Sequence, residues 1–101
     1  MVAHADVLYF GDIVASDRNQ PMEGQTLKVL EALDRLLESQ GSKRSSLLSF
    51  TICLSDMAAK DEMNKVWTSW FLTEELPARA TIGVADLGAG TLIEIVATAA
   101  I

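Results

Sequence analysis

Residues 47–54, Leu-Leu-Ser-Phe-Thr-Ile-Cys-Leu, decide the fold of this chain. Successive side chains of a β-strand point to opposite faces, so this stretch would have two unlike sides. One side carries four bulky apolar side chains, Leu48, Phe50, Ile52 and Leu54. The other side carries smaller and partly polar ones, Leu47, Ser49, Thr51 and Cys53. The pattern predicts a strand that helices cover on its bulky side.

Amphipathic helices are predicted on either side of this strand. The first spans residues 22–39, because apolar residues recur at spacings of three and four after Pro21 and Glu23, which suit a helix start. The second spans residues 58–71, because its large apolar residues recur at helical spacing. They are Met63, Val66, Trp67, Trp70 and Phe71. We assign both tryptophans to the core in preference to ligand stacking.

Further strands are predicted at both ends of the chain. Residues 7–10 and 13–15 have strand composition and are separated by Gly11-Asp12, which indicates a bend or a bulge. Residues 79–86 and 91–101 also have strand composition, and the glycines between them predict a terminal hairpin. The order of elements predicts a single α+β domain, residues 1–101, with two helices on one face of a mixed sheet.

The second face of this sheet has no predicted cover. Half of the 101 residues are hydrophobic, which is a high share for a small domain that must leave much of its surface exposed. A monomer seldom keeps a large apolar patch in water. A closed ring of subunits is therefore expected to bury it.

Composition argues against several classes of function. The net charge of -6 repels nucleic acid, and we interpret the adjacent basic pair Lys43-Arg44 as a solvated turn. No apolar run reaches the roughly 20 residues of a membrane span, and no basic leader opens the chain, so we expect a soluble, cytoplasmic protein without a membrane partner. The single histidine, His4, and the single cysteine, Cys53, support neither a metal site nor a Ser-His-Asp triad. We interpret Cys53 as a buried, inert thiol.

Two charged residues of the C-terminal third are candidates for chemistry. Glu94 lies inside a predicted strand on the side of Leu92 and Val96, where an unpaired carboxylate is costly, so we expect it to have a partner. Arg79 lies at the entrance of a strand, where its guanidinium could bind a carboxylate through two hydrogen bonds. From the residues alone, Glu94 could equally be an exposed or ion-paired structural residue, and Arg79 a surface cation.

The same region resembles a known family. Residues 77–81, Pro-Ala-Arg-Ala-Thr, and residues 92–97, Leu-Ile-Glu-Ile-Val-Ala, are similar to two blocks of the Rid family, also called YjgF-like or endoribonuclease L-PSP-type. These blocks are Pro-x-Arg-(Ser/Ala)-(Thr/Cys) and a last strand of the Val-Glu-Ile-Glu type. Shorter matches follow in the same order along essentially the whole chain, at residues 25–26, 41–42, 51–56 and 63–66.

This resemblance implies a chorismate-mutase-like homotrimer with ligand clefts between subunits, and we expect a mixed six-stranded sheet with two helices on one face. It implies hydrolytic deamination of reactive 2-imino or enamine acids, such as 2-aminoacrylate, to 2-oxo acids and ammonia without a cofactor. In active relatives the residue matching Arg79 binds the substrate carboxylate, and the one matching Thr81 lines the cleft. The residue matching Glu94 positions a water molecule.

Two departures from the family pattern leave an alternative open. Many active members have a serine before the early glycine, where this chain has Phe10 before Gly11, so we expect Phe10 and Gly11 to line the cleft without that hydroxyl. Such members also carry a tyrosine nearer the N-terminus, with which Tyr9 does not align. A non-enzymatic trimer that binds small carboxylates therefore stays open. Endoribonuclease activity, a label that some relatives carry, is disfavoured by the acidic charge and the lack of a histidine pair.

Overall fold

Five strands and two α-helices make up the fold in a computed structural model, which describes residues 1–71 and 76–101. The strands are β1 Val2–His4, β2 Val7–Val14, β3 Leu47–Leu54, β4 Ala78–Gly83 and β5 Ile93–Ala100. The helices are α1 Met22–Ser39 and α2 Lys60–Trp70. Short 3-10 turns, Arg44–Ser46 and Met57–Ala59, precede β3 and α2. The strands form one sheet in the order β1-β2-β5-β3-β4.

The predicted terminal hairpin is wrong, because β4 and β5 are not neighbours. β3 lies between them and pairs parallel with β4 and antiparallel with β5. A parallel pair needs a crossover connection, and α2 lies in the crossover from β3 to β4. The sheet is mixed, as predicted, but the described part of the chain contributes five strands to it instead of six.

Both helices pack on one face of the sheet, here called the covered face. α1 has the bounds that its periodicity predicted, whereas α2 begins at Lys60, two residues later than expected. The delay follows from the preceding turn, where the Asp56 carboxylate accepts a hydrogen bond of 3.0 Å from the Ala58 amide. In the core, the rings of Phe50 and Trp67 meet edge to face at 4.8 Å, which is a favourable aromatic geometry.

Two bulges modify the alternation along the strands. In β3 the register shifts between Leu47 and Ser49, so that Leu47 is 6% exposed and Leu48 is 47% exposed. The expectation that Leu48 shares the covered face with Phe50 is therefore wrong, because the bulge reverses the phase of the first two residues. In β2 the register shifts between Phe10 and Ile13, which confirms the predicted bulge at Gly11-Asp12.

The Lys43-Arg44 pair is more than a solvated turn. Nη1 of Arg44 donates a hydrogen bond of 2.8 Å to the carbonyl of Trp70, and its Nε donates one of 3.1 Å to Asp34. The guanidinium also lies 4.3 Å from the centroid of the Trp70 ring. Arg44 thus joins α1 to the end of α2, and our interpretation of this residue as a solvated one is wrong.

The second face of the sheet, here called the open face, carries no helix. Its apolar side chains include Tyr9, Ile82 and Val96, which are 44%, 46% and 42% exposed. Alternation along β5 assigns Glu94 and Val96 to this face, since Ile93 and Ile95 are buried beneath the helices. None of the helices in the described ranges is long and apolar enough to cross a membrane.

Candidate functional site

Arg79 lies on β4, the edge strand of the sheet, with its side chain against α2. Its Nη1 donates a hydrogen bond of 2.8 Å to Oδ1 of Asn64, and its Cζ lies 5.0 Å from the centroid of the Trp67 ring. Both contacts place the guanidinium on the covered side of β4. Partial burial lowers the pKa of Arg79, but a guanidinium still keeps its charge at neutral pH.

The groups that contact the charged guanidinium of Arg79 are neutral. Within residues 1–71 and 76–101 the salt bridges join Lys28 to Glu31 and Arg44 to Asp34, and neither involves Arg79. An amide oxygen and an aromatic ring fix the orientation of the guanidinium without neutralising it. A guanidinium has five N–H donors, so this arrangement suits the binding of an anionic group.

Thr81 lies two residues further along β4 and therefore on the same side of the strand as Arg79. Its Oγ1 is buried and has no hydrogen-bond partner among the described residues. A buried hydroxyl without a partner is energetically costly. We call Asn64, Trp67, Arg79 and Thr81 together the β4 edge site.

Glu94 lies on the open face in the middle of the sheet. It is opposite Cys53 of β3 and Val14 of β2, and the β2 bulge that contains Asp12 lies on the neighbouring strand. Burial raises the pKa of Glu94, and the negative charge and hydrogen bond of Asp12 raise it further. Among the described residues the salt bridges join other side chains, so the partner expected for Glu94 stays a prediction.

The surroundings of Cys53 disfavour a nucleophilic role for its thiol. Its side chain is partly exposed on the open face, so the prediction of a fully buried thiol is wrong. Burial raises the pKa of the Cys53 thiol, and the negative charge of Glu94 raises it further. Since the thiolate is the nucleophilic form, both effects disfavour reaction at this thiol.

The structure does not bring Arg79 and Glu94 together within one protomer. Arg79 is opposite Phe50 of β3, and Glu94 is opposite Cys53, three residues further along the same strand. That offset is roughly 10 Å at about 3.3 Å per residue. The two side chains also lie on opposite faces of the sheet, so one protomer alone cannot present both to one small ligand.

Phe10 lies in the core, where it is 2% exposed, and its ring faces the helices. The expectation that this ring lines a ligand cleft is therefore wrong. Gly11 and Asp12 are exposed on the open face instead, because both lie in the bulge between the buried residues Phe10 and Ile13.

Sequence reasoning did not identify Asp12 or Asn64 as site residues. The only sequence signal for Asp12 was its place in the predicted bulge. The signal for Asn64 was its position three residues before Trp67, which puts both residues on one side of α2.

Two surface clefts lie elsewhere on the described residues. One, of about 290 Å³, is next to Arg44 and the end of α1. The other, of about 460 Å³, lies between the N-terminal ends of α1 and α2, with Met22, Ala59 and Leu92 in its wall. Neither cleft contains Arg79, Thr81 or Glu94.

Comparison with known proteins places this arrangement in context. The family model described as Endoribonuclease L-PSP matches residues 2–101. The chain is 33% identical over 101 residues to the RutC family protein YoaB of Escherichia coli (strain K12), covering 100% of this chain and 88% of that protein. It is also 34% identical over 77 residues to the chloroplastic Reactive Intermediate Deaminase A of Arabidopsis thaliana, covering 76% of this chain and 41% of that protein.

Solved structures share the fold. A crystal structure of an uncharacterized protein from Pseudomonas aeruginosa superposes with a TM-score of 0.93 at 34% identity, covering 97% of this chain and 85% of the other. A member of the YjgF protein family from Neisseria meningitidis superposes with a TM-score of 0.88 at 30% identity, covering 94% and 79%. The arrangement of two helices on a five-stranded mixed sheet therefore matches experimentally known folds.

Proposed function

Because the chain belongs to the endoribonuclease L-PSP family, which includes the Rid and YjgF-type proteins, we propose that it hydrolyses reactive 2-imino and enamine acids to 2-oxo acids and ammonia. The observation that carries the proposal is the guanidinium of Arg79, which Asn64 and Trp67 orient without neutralising its charge. A fixed cation of this kind suits the carboxylate that every such substrate carries. The name of the Arabidopsis relative agrees with this chemistry.

The proposed site takes residues from two protomers. Arg79 and Glu94 lie on opposite faces of one sheet, so a ligand that meets both must lie between Arg79 of one protomer and Glu94 of its neighbour. The exposed apolar side chains of the open face support such an assembly, because a closed ring would bury them. We propose a homotrimer, in which the same contact repeats three times.

Each residue has a defined part in the proposed reaction. Arg79 binds the substrate carboxylate through two hydrogen bonds, and Thr81 lines the cleft and offers backbone groups to the same ligand. The enamine first tautomerises to the imine. As a water oxygen then bonds to C2 of the imine, the Glu94 carboxylate takes a proton from that water and passes it to the nitrogen.

The tetrahedral adduct carries a hydroxyl and an amino group on C2. Glu94 then takes the hydroxyl proton and passes it to the nitrogen, the C2–N bond breaks with loss of ammonia, and the C2=O bond of the 2-oxo acid forms. These steps need only water and proton transfers. Positioning and a general base therefore supply the catalysis, and a general base contributes about 100 to 10,000-fold.

The substitution Arg79→Ala tests the assignment in an assay in which a dehydratase generates 2-aminoacrylate and released ammonia is measured. We expect kcat/KM to fall about 100-fold, because about 3 kcal/mol of charge-assisted hydrogen bonding is lost. Arg35→Ala is the matched control, since it removes the same charge from an exposed position on α1 and should keep full activity. Full activity in the Arg79 variant would refute the role of this residue.

A second candidate function is the binding of small carboxylates without turnover. It is favoured by the sequence before Gly11, where this chain has Phe10 instead of the serine of many active relatives. Titration calorimetry with pyruvate, run beside the ammonia assay, separates the two functions. Pyruvate binding that depends on Arg79 without any release of ammonia would favour the binder. Endoribonuclease activity has less support, because the net charge of -6 opposes the binding of RNA.

A further inference from the structure

Asn64 is held in place by the helix that carries it. Two side chains of α2, Met63 and Trp67, are buried in the core. Asn64 directly follows the first of them and lies about one turn before the second, and its own side chain is only partly exposed. The packing of α2 therefore sets the position of the Asn64 amide beside β4.

The same core reaches the guanidinium of Arg79 by a second route. Arg79 is opposite Phe50 in the pairing of β4 with β3, and the Phe50 ring meets the Trp67 ring edge to face at 4.8 Å. The Trp67 ring in turn lies 5.0 Å from Cζ of Arg79. The ring limits where the guanidinium can lie, and the hydrogen bond of 2.8 Å from Arg79 Nη1 to Asn64 Oδ1 sets its rotation.

The hydrogen-bond acceptor from α2 is an amide, and its lack of charge matters for a cation that binds anions. Asparagine and aspartate have nearly the same shape, and either side chain could accept this hydrogen bond. An aspartate would also add a negative charge beside the guanidinium, where it would repel a bound carboxylate. The hydrogen bond to Asn64 uses one of the five N–H donors of the guanidinium, so a carboxylate can still bind through two others.

We propose that Asn64 is a positioning residue for Arg79, whose amide orients the guanidinium and whose lack of charge leaves that cation to the carboxylate of the ligand. The inference takes the class of ligand from the proposed deaminase reaction and the geometry from the contacts between α2 and β4. Asn64 acts through Arg79 and not by touching the reacting atoms. Its effect must therefore disappear when the Arg79 side chain is removed.

The first measurement follows the guanidinium by 15N NMR, with the Arg79 signals identified by their absence in Arg79→Lys. A hydrogen bond to Nη1 slows rotation about the Cζ–Nε bond, so the two Nη nitrogens should give separate signals in the natural chain. Asn64→Ala should merge them, and Asn64→Asp should keep them apart. Alanine suits a helix, so the alanine variant should fold, which thermal unfolding checks. Separate signals that persist in Asn64→Ala would overturn the inference, whether or not the protein releases ammonia.

Titration calorimetry with pyruvate tests the importance of the neutral amide. Asn64→Asp should weaken pyruvate binding about 10-fold by charge repulsion, although its guanidinium stays ordered. Asn19→Asp adds the same charge at an exposed position before α1 and should leave the affinity unchanged. Equal affinity of Asn64→Asp and the natural chain would contradict this part of the inference.

The ammonia assay tests whether Asn64 acts through Arg79. Asn64→Ala should lower kcat/KM about 10-fold, and the same substitution in the Arg79→Ala background should change nothing further. An equal further loss in that background would show an independent role and overturn the inference. Nη signals that merge in Asn64→Ala, in a protein that neither binds pyruvate nor releases ammonia, would support the orienting role and refute the proposed function alone.

Discussion

The covered and the open face of the sheet are made from alternate residues of the same strands, but they bury different amounts of surface. On the covered face, Phe50 and Ile95 are almost completely buried beneath the helices. On the open face, which also carries Glu94, Tyr9 and Val96 keep more than 40% of their surface exposed. The covered face therefore stabilises the protomer, whereas the open face keeps apolar surface that the proposed homotrimer would bury.

The largest expected effect on stability concerns the bulge in β3, where Leu47 is buried and Leu48 is exposed. Leu47→Ala should lower the free energy of unfolding by about 2 to 5 kcal/mol, because it leaves a cavity in the core. Leu48→Ala removes the same atoms from an exposed position and should change the free energy of unfolding by about 0.5 kcal/mol or less. Urea unfolding at one protein concentration measures both values. Equal losses in the two variants would show that the bulge does not assign these leucines as described.

A smaller effect is expected at Gln25, the buried polar residue that ties α1 to the loop before β5. Its Nε2 donates a hydrogen bond of 2.8 Å to the carbonyl of Gly90, and its Oε1 accepts one of 2.9 Å from the amide of Leu92. Gln25→Ala should cost about 1 to 3 kcal/mol of unfolding free energy, since buried backbone groups lose their partner. Gln40→Ala, at an exposed position beyond α1, is the control, and a comparable cost there would contradict the account.

The smallest effect on stability is expected at Glu94 and depends on pH. Burial raises the pKa of Glu94, so the folded protein holds its proton more tightly than the unfolded chain does. The stabilisation from the protonated group is complete below the unfolded pKa and is lost as the pH rises through the folded pKa. Glu94→Gln should therefore be more stable than the natural chain above that window and should lose this advantage below it.

Thermal unfolding across a pH series, at constant protein concentration, checks this sign. Asp6→Asn serves as the control for the change in net charge, because Asp6 is exposed and lies outside the sheet. A gain in stability for Glu94→Gln that grows toward acid pH would contradict the direction of the shift.

Local patterns predicted the elements better than their pairing. The bounds of α1 and β3 followed from periodicity, because a helix and a strand impose their repeats on consecutive residues. The hairpin of β4 and β5 was wrong because strand pairing is non-local, and the glycines near Gly88 mark a turn without specifying which strands it joins. Leu48 was misplaced because a bulge resets the alternation that the prediction assumed.

For the candidate site, too, the sequence indicated which residues matter but not where the fold places them. Arg79 and Glu94 were singled out from their residue types and from family resemblance. The face of the sheet on which each side chain lies depends on how the strands pair, which the sequence did not show. The pair of Asp12 and Glu94 requires that β2 and β5 be neighbours and that the bulge turn Asp12 outward. The sequence indicated the bulge, and only the fold shows that its strand is the neighbour of β5.

Subunit complementation tests the central claim most directly, namely that one site joins Arg79 of one protomer to Glu94 of the next. Arg79→Ala and Glu94→Gln are each assayed alone and then after mixed refolding in equal amounts. In a ring with random mixing, about one quarter of the sites would combine an intact Arg79 with an intact Glu94, so ammonia release should return to about a quarter of the natural rate. Mixing Arg79→Ala with the double variant is the control and should restore nothing. Mixed trimers as inactive as their parents would contradict the account.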